Sequence, residues 1–212
     1  MGLFRFTPLL LLLFLIKSCN YRSEENTEYF CDKLNLNCKV EKNLLIFHTS
    51  KGIFEVQLFD KSNPVTVSNF ILNVKNNLYS NQYFYKVINY PDNKIIHGGI
   101  NANSFFEEIN NQSSLLKKSI PLEINLKNEK IIYKNQILDP KNKKNLKNKF
   151  QKGSIAMVNI DKNNSSSTEF FFLFNKSPAF DGRYSIFGKV IKGIEILGKI
   201  DKNDFIKNIE IN

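Results

Sequence analysis

The sequence predicts a mainly β fold, a closed antiparallel barrel capped by two helices. Three observations carry this expectation. Short β-type runs recur along the chain, each bounded by Gly, Asn, Asp, Ser or Pro. Only two stretches, near residues 63–78 and 193–199, carry helical signals. Hydrophobic residues make up 42% of the 212, with 19 Phe and no Trp, enough to fill one sizeable core. There is no internal repeat.

In chain order, Leu44–Thr49 (LLIFHT) and Ile53–Phe59 (IFEVQLF) are β-type runs separated by Ser50-Lys51-Gly52, the signature of a hairpin. Asn63 can cap a helix and Pro64 suits its first turn. Val67, Phe70, Ile71, Val74 and Leu78 then recur at helical spacing, a core-facing stripe. Tyr83–Ile88 reads as a strand, and Lys94–His97 as another that Gly98-Gly99 ends. Residues 101–119 are polar and yield no assignment. Pro121–Leu126 and Lys130–Ile137 are short strands, and Lys141–Lys152, with six lysines in twelve residues, reads as a solvated loop. Ser154–Val158, Phe170–Phe174, Ser185–Ile191 and Phe205–Ile211 are strands, with Gly193–Lys199 a short helix among them.

The N-terminus is of another kind. Arg5 precedes an apolar run, Pro8–Ile16, too short for a spanning helix of ~20 residues and right for the core of an export signal. Ser18-Cys19 just beyond it resembles a bacterial lipoprotein cleavage site, where Cys19 becomes the lipid-bearing first residue; Lys17 departs from that pattern. Ordinary signal cleavage and an uncleaved signal anchor are the alternatives. The expected organisation is therefore a signal over 1–18, a tether over 19–42 and a globular domain over 43–212. With Cys19 lipidated, Cys31 and Cys38 remain as an even pair; export permits a disulfide between them, and two free thiols are the alternative.

The formal charge is +10. A basic balance suits nucleic acid or an anionic membrane, but the lysine-rich stretch has no interleaved aromatics apart from Phe150, and an exported chain meets little nucleic acid. No nucleic-acid partner is expected. The residues alone offer no catalytic constellation. His48 lies within a strand and reads as structural. Ser165–Thr168 has no neighbouring base, Gly98-Gly99 alone is no phosphate loop, and no metal or nucleotide motif is present.

The order of four segments is more informative. They are Thr49–Phe59 leading into Pro64-Val65-Thr66-Val67-Ser68-Asn69-Phe70; Tyr83–Ile88 followed by His97-Gly98-Gly99; Gly153–Asn159 followed by Thr168-Glu169-Phe170-Phe171; and Phe180-Asp181-Gly182 leading to Phe187-Gly188-Lys189-Val190. Together, over roughly residues 43–200, they resemble the cyclophilin family of peptidyl-prolyl cis-trans isomerases. That resemblance implies an eight-stranded antiparallel barrel capped by helices, action on X-Pro bonds, no cofactor, and a hold on proline-containing segments; the N-terminal signal makes the substrates exported or membrane-associated chains, and a tethered monomer is the default.

Carried over by position, the resemblance gives Lys86 the place of the family arginine and His97 that of the glutamine beside it. Met157 and Phe171 match the wall and floor of the proline pocket, and Phe180 its lining leucine. Tyr184 takes a position held by His, Phe or Tyr, and Asn159 matches the asparagine whose backbone pairs with the peptide. The departures imply reduced activity. Lysine is a compact charge where arginine is a planar fork. The segment Asn89–Ile96 is about three residues longer than the family norm, leaving Ile95 as the apolar stand-in there. One further residue separates Asn159 from Thr168, and the far wall becomes Ala179. Two rival expectations stand beside the isomerase: a peptide-binding or assembly module of low turnover, and an anchored structural protein whose basic face meets anionic lipid.

Overall fold

Strand alternation and Phe content are enough to roll this chain into a tube. The computed structural model describes residues 25–100 and 119–212; the expected signal over 1–18, Cys19, the start of the tether and nearly all of 101–119 lie outside them. The strands are β1 Leu44–Thr49, β2 Gly52–Leu58, β3 Gln82–Tyr83, β4 Lys86–Tyr90, β5 Asn93–Gly99, β6 Ser119–Pro121, β7 Glu123–Asn125, β8 Ile131–Tyr133, β9 Ser154–Asn159, β10 Asn164–Leu173, β11 Ile186–Lys192 and β12 Phe205–Ile211. The main sheet runs β3-β12-β1-β2-β11-β9-β10-β5-β4. Its two ends, β3 and β4, are consecutive pieces of chain separated only by Phe84 and Tyr85, so the sheet curls round and closes through residues 82–90 as eight antiparallel strands. β6 pairs beside β10, and β7 with β8 forms a separate two-stranded ribbon.

Alternation places one set of side chains inside. Leu45, Phe47, Phe54, Val56, Met157, Phe170 and Phe172 are fully or almost fully buried there. Phe47 stacks on Phe54 at 4.9 Å and meets Phe172 edge-on at 5.6 Å. The expected helices are α2, Pro64–Lys75, which plugs the interior with Val67, Phe70, Ile71 and Val74, and a short one at Ile194–Lys199. Leu78 lies beyond the end of α2. Two further helices occur among the described residues: α1, Thr27–Leu34, and α3, Pro140–Lys144, so Ile194–Lys199 is α4. None of the helices among the described residues is long and apolar enough to cross a membrane.

Two local expectations are corrected. Asn63 stands at the N-cap position of α2, but its side chain makes no cap bond there; its amide donates to the Glu123 carbonyl at 3.1 Å. The cap is the Glu123 carboxylate, which accepts from Val65 N–H at 3.1 Å and Thr66 N–H at 2.7 Å. The second concerns residues 27–38, expected to be part of a tether. Asn26 caps α1 by accepting from Tyr29 N–H at 2.9 Å, and Phe30, 2% exposed, packs against Val65 and Tyr133. Cys31 and Cys38 form a disulfide that closes the chain behind α1. A buried aromatic and a cross-link hold this segment on the domain, which a free tether would not allow.

β10 shifts register against β9 between Ser165 and Phe170. The irregular segment is satisfied from α2, where Asn69 and Asn73, one helical turn apart, each donate to the Ser167 carbonyl at 2.7 Å. Gly99 makes the close approach on the other side. Its φ is +91°, and a Cβ there would sit 2.1 Å from the Thr168 carbonyl oxygen.

Candidate active site

The outer face of the barrel carries a row of paired residues across five strands. Lys86 on β4 is opposite His97 on β5, His97 is opposite Phe171 on β10, Phe171 is opposite Ala156 on β9, and Ala156 is opposite Ile186 on β11. Paired residues share a face. The row therefore runs from an exposed cation, through a half-buried imidazole, onto an apolar floor. The His97 ring lies 5.7 Å from the Phe171 ring.

The floor continues into an aromatic cluster. Phe150 stacks on Phe171 at 5.8 Å, and Phe180 and Tyr184 meet Phe171 edge-on at 6.5 Å and 5.1 Å. Ile95 and Leu173 are buried in the same cluster, with Val158 packed against it. Three of the expected pocket residues, Phe171, Phe180 and Tyr184, are thus brought together beside Lys86 and His97, and Ile95 joins them. Segment 89–96 belongs to the β4–β5 hairpin, which turns through Pro91 and Asp92 between the pair Tyr90 and Asn93.

Met157 does not join them. Its pairing with Phe170 puts it on the inner face, fully buried among Phe47, Phe70 and Phe172. The reason is the two-residue period of the strand: Ala156 shares the face of Phe171, so Met157 cannot. Asn159 sits at the cluster's rim, its amide donating to the Arg183 carbonyl at 2.8 Å and its Oδ1 accepting from Ser165 Oγ at 3.3 Å. Ala179 is exposed at the edge. Cys19 lies outside the described residues.

Burial, then the neighbouring charge of Lys86, lowers the His97 pKa from 6.5 to about 4. At neutral pH His97 is therefore an uncharged ring with one donor and one acceptor, the hydrogen-bonding character of an amide. On its other side the Tyr85 ring stands 5.8 Å away, and the Tyr85 hydroxyl donates to Glu169 Oε2 at 2.8 Å. Burial, together with the Glu169 charge, raises the Tyr85 pKa and keeps the phenol protonated as that donor.

Sequence reasoning did not assign Phe150, Tyr85 or Glu169 to the site. Phe150 was visible as the one aromatic residue in the lysine-rich stretch; its N–H donates to the buried Asp181 carboxylate at 2.7 Å, which pins it beneath the 180–184 loop. Tyr85 and Glu169 were visible inside two of the segments that carry the resemblance, Tyr83–Ile88 and Thr168–Phe171. Among the described residues, no group of three or more His, Cys, Asp or Glu side chains is placed to hold a metal ion.

Comparison with known proteins gives the family of the chain. Residues 44–211 match the family described as cyclophilin type peptidyl-prolyl cis-trans isomerase/CLD. A peptidyl-prolyl cis-trans isomerase of Acinetobacter baylyi is 28% identical over 157 residues, covering 72% of this chain and 68% of its own length. One from Helicobacter pylori is 25% identical over 163 residues, covering 76% and 82% respectively. Among solved structures, a Cryptosporidium parvum cyclophilin type peptidyl-prolyl cis-trans isomerase superposes with a TM-score of 0.56 at 23% identity, covering 81% of this chain and 98% of its own. That protein has also been solved in the presence of the dipeptide Ala-Pro, with a TM-score of 0.55 to this chain at 24% identity, covering 80% and 98%.

Proposed function

Since the chain belongs to the cyclophilin type peptidyl-prolyl cis-trans isomerase family, we propose that its outer aromatic face binds proline-containing segments and that Lys86 and His97 accelerate rotation about the X-Pro bond. The observation that carries this reading is the in-register row Lys86, His97, Phe171. It sets a cation and a neutral hydrogen-bonding ring beside an apolar floor.

Amide resonance sets a barrier of ~18–20 kcal/mol, and uncatalysed X-Pro exchange takes tens to hundreds of seconds. No bond is made or broken. As the amide twists, conjugation is lost and the lone pair returns to the proline nitrogen, so charge is redistributed between nitrogen and carbonyl oxygen. Groups that meet this redistribution, and not the planar amide, lower the barrier. Phe171, Phe180 and Tyr184 hold the pyrrolidine ring, Lys86 supplies the positive field at the reacting amide, and His97 offers a hydrogen bond without a second charge. Asn159 lies where a neighbouring backbone of the substrate would run.

The same reading places the protein on the extracytoplasmic side of a membrane, as a monomer held there through Cys19 or an uncleaved signal and assisting folding of exported chains. The apolar run Pro8–Ile16, and a disulfide between Cys31 and Cys38, both support it. A second reading, a peptide-binding module of low turnover, is favoured by one observation: Phe171 is only 3% exposed beneath Phe150, so a proline ring must enter from the Phe180 and Tyr184 side. An X-Pro exchange assay on the purified protein, beside a peptide-binding titration, separates the two. Acceleration that falls in Lys86→Ala supports the isomerase. Binding without acceleration in the folded wild type supports the module.

A further inference from the structure

The described chain starts beside its most basic surface. Glu25 pairs with Lys134, Oε1 to Nζ 2.7 Å, and Lys134 lies within residues 127–152. That stretch holds nine lysines against two carboxylates, Glu129 and Asp139, a net +7 out of the chain's +10. In sequence they read as solvated loops; the fold gathers those of the β7–β8 turn and of α3 and its exit, while Lys152 stands over the Phe174 ring at 4.8 Å. Leu126 bridges Leu146, Lys127 N–H donates to the Asn145 carbonyl at 2.8 Å, and Lys147 N–H donates to the Asn125 carbonyl at 2.9 Å. The β7–β8 turn is thereby stitched to the exit of α3. Lys127, Lys141, Lys144 and Lys147 are all exposed on it. Lys61, from the turn before α2, adds to the same surface: with Lys127, Lys130 and Lys147 it lines a cleft of about 440 Å³ in which Glu129 is the only carboxylate.

We propose that this face, residues 127–152 with Lys61, docks on an anionic lipid surface. A concentration of like charge with so few carboxylates among it repels itself and is relieved by an extended negative surface. Leu138, 49% exposed, offers the same surface an apolar contact. The position of Glu25 favours lipid over an acidic protein. It lies six positions along the chain from Cys19, a reach of at most about 22 Å, so an anchor at Cys19 would hold this face against the bilayer that carries it. A single lipid chain with a polybasic patch is a two-signal attachment, far firmer than either alone. That orientation rests on the proposed anchor; the charge of the face does not. Ile137 N–H donates to the Gly182 carbonyl at 2.8 Å, so the docked face adjoins the 180–184 loop of the candidate site.

The test uses the full chain with sedimented vesicles of phosphatidylcholine alone or in an about two-to-one mixture with phosphatidylglycerol. The expected result is about tenfold or stronger partitioning onto the anionic vesicles, abolished near 1 M salt, where screening acts within about 3 Å. A variant with Lys127, Lys141, Lys144 and Lys147 changed to Gln should lose most of that increment while keeping its X-Pro exchange activity. A control with Lys75, Lys199, Lys202 and Lys207, all exposed, changed to Gln should keep it. Equal partitioning onto both vesicles overturns the proposal, as does an equal loss in the control. So does retention on polyglutamate under conditions where anionic vesicles do not bind, which would make an acidic protein the partner. Partitioning onto the neutral vesicles reports the anchor separately: its absence would count against the anchor and leave the docking face standing.

Discussion

Lys86 and His97 face each other across the β4–β5 hairpin, and the ammonium group, added to burial, holds the imidazole uncharged down to a pKa of about 4. The two residues are therefore not redundant cations. One carries the charge, and the other, kept neutral first by burial and then by that charge, supplies hydrogen bonding.

Lys86→Ala should lower kcat/KM for X-Pro exchange by about a hundredfold, the scale expected for losing one preorganised charged donor. Lys86→Arg should raise it above wild type, because a planar fork holds its direction better than a flexible ammonium. A protease-coupled or NMR exchange assay on the three proteins measures both. An alanine variant as active as wild type would remove Lys86 from the reaction.

His97 should keep the activity level through the neutral range and lose it as pH falls through about 4. Its folded pKa lies below the unfolded value of 6.5, so the unfolded chain binds more protons between the two. The stability it contributes is complete above pH 6.5 and is lost as pH falls toward 4. Lys86→Ala should shift the His97 titration upward yet leave it below 6.5, since burial is the larger cause. There are two histidines in the chain, so NMR titration in a His48→Gln background follows a single ring.

The barrel was legible in the sequence because its hairpins and alternating runs are local. Leu44–Thr49, the turn at Ser50-Lys51 and the closing strand Phe205–Ile211 each follow from a handful of adjacent residues. The start of β10, Asn164–Thr168, was not, since its pairing is a backbone ladder beneath polar side chains. α1 has a cap at Asn26 and one buried aromatic at Phe30, too little apolar surface to stand out from a tether. Motif position placed Met157 in the pocket, whereas register decides which way it faces, and register depends on a partner strand. The role of Glu123 was invisible because the N–H groups it caps are 58 and 57 residues away.

Glu123 gives a prediction of opposite sign. Burial raises its pKa from 4.5 to about 7, against the two helix N–H groups that favour the charged form. The folded state thus binds more protons than the unfolded one between pH 4.5 and 7. The stability from this shift is complete below 4.5 and is lost as pH rises through 7. Glu123→Gln should flatten that slope. Glu123→Ala should cost about 1–3 kcal/mol, because it leaves two buried N–H groups without acceptors. Urea midpoints at about pH 4.5 and about pH 8 would read both effects.

The two faces of the sheet predict a clean division between Met157 and Phe171. Met157→Ala should lower stability by about 2–4 kcal/mol through a core cavity and leave KM for a proline peptide unchanged. Phe171→Ala should raise KM severalfold or more, with kcat/KM falling at least as far. Peptide titration and thermal unfolding on the same preparations separate binding from folding. A Met157 variant with weakened binding and unaltered stability would reverse the assignment.

Breaking the Cys31–Cys38 link should loosen one corner of the molecule and spare the site. The bond closes a short loop, worth about 2–2.5 kcal/mol by loop-closure entropy, and it fixes α1 against α2 through Phe30 and Val65. From α1 the Thr27 hydroxyl lies 2.6 Å from that of Tyr133, which in turn stands beside Glu123 at the cap of α2. Lys86 and His97 sit on the β4–β5 hairpin and take no part in that chain of contacts. The Cys31→Ser/Cys38→Ser variant should therefore unfold at lower denaturant by about that amount, with faster amide exchange concentrated over residues 27–34, while exchange of a proline peptide proceeds at the wild-type rate under conditions where the variant remains folded. Equal protection of α1 with and without the disulfide would mean that Phe30 alone secures the helix, and the link would then be dispensable to the fold.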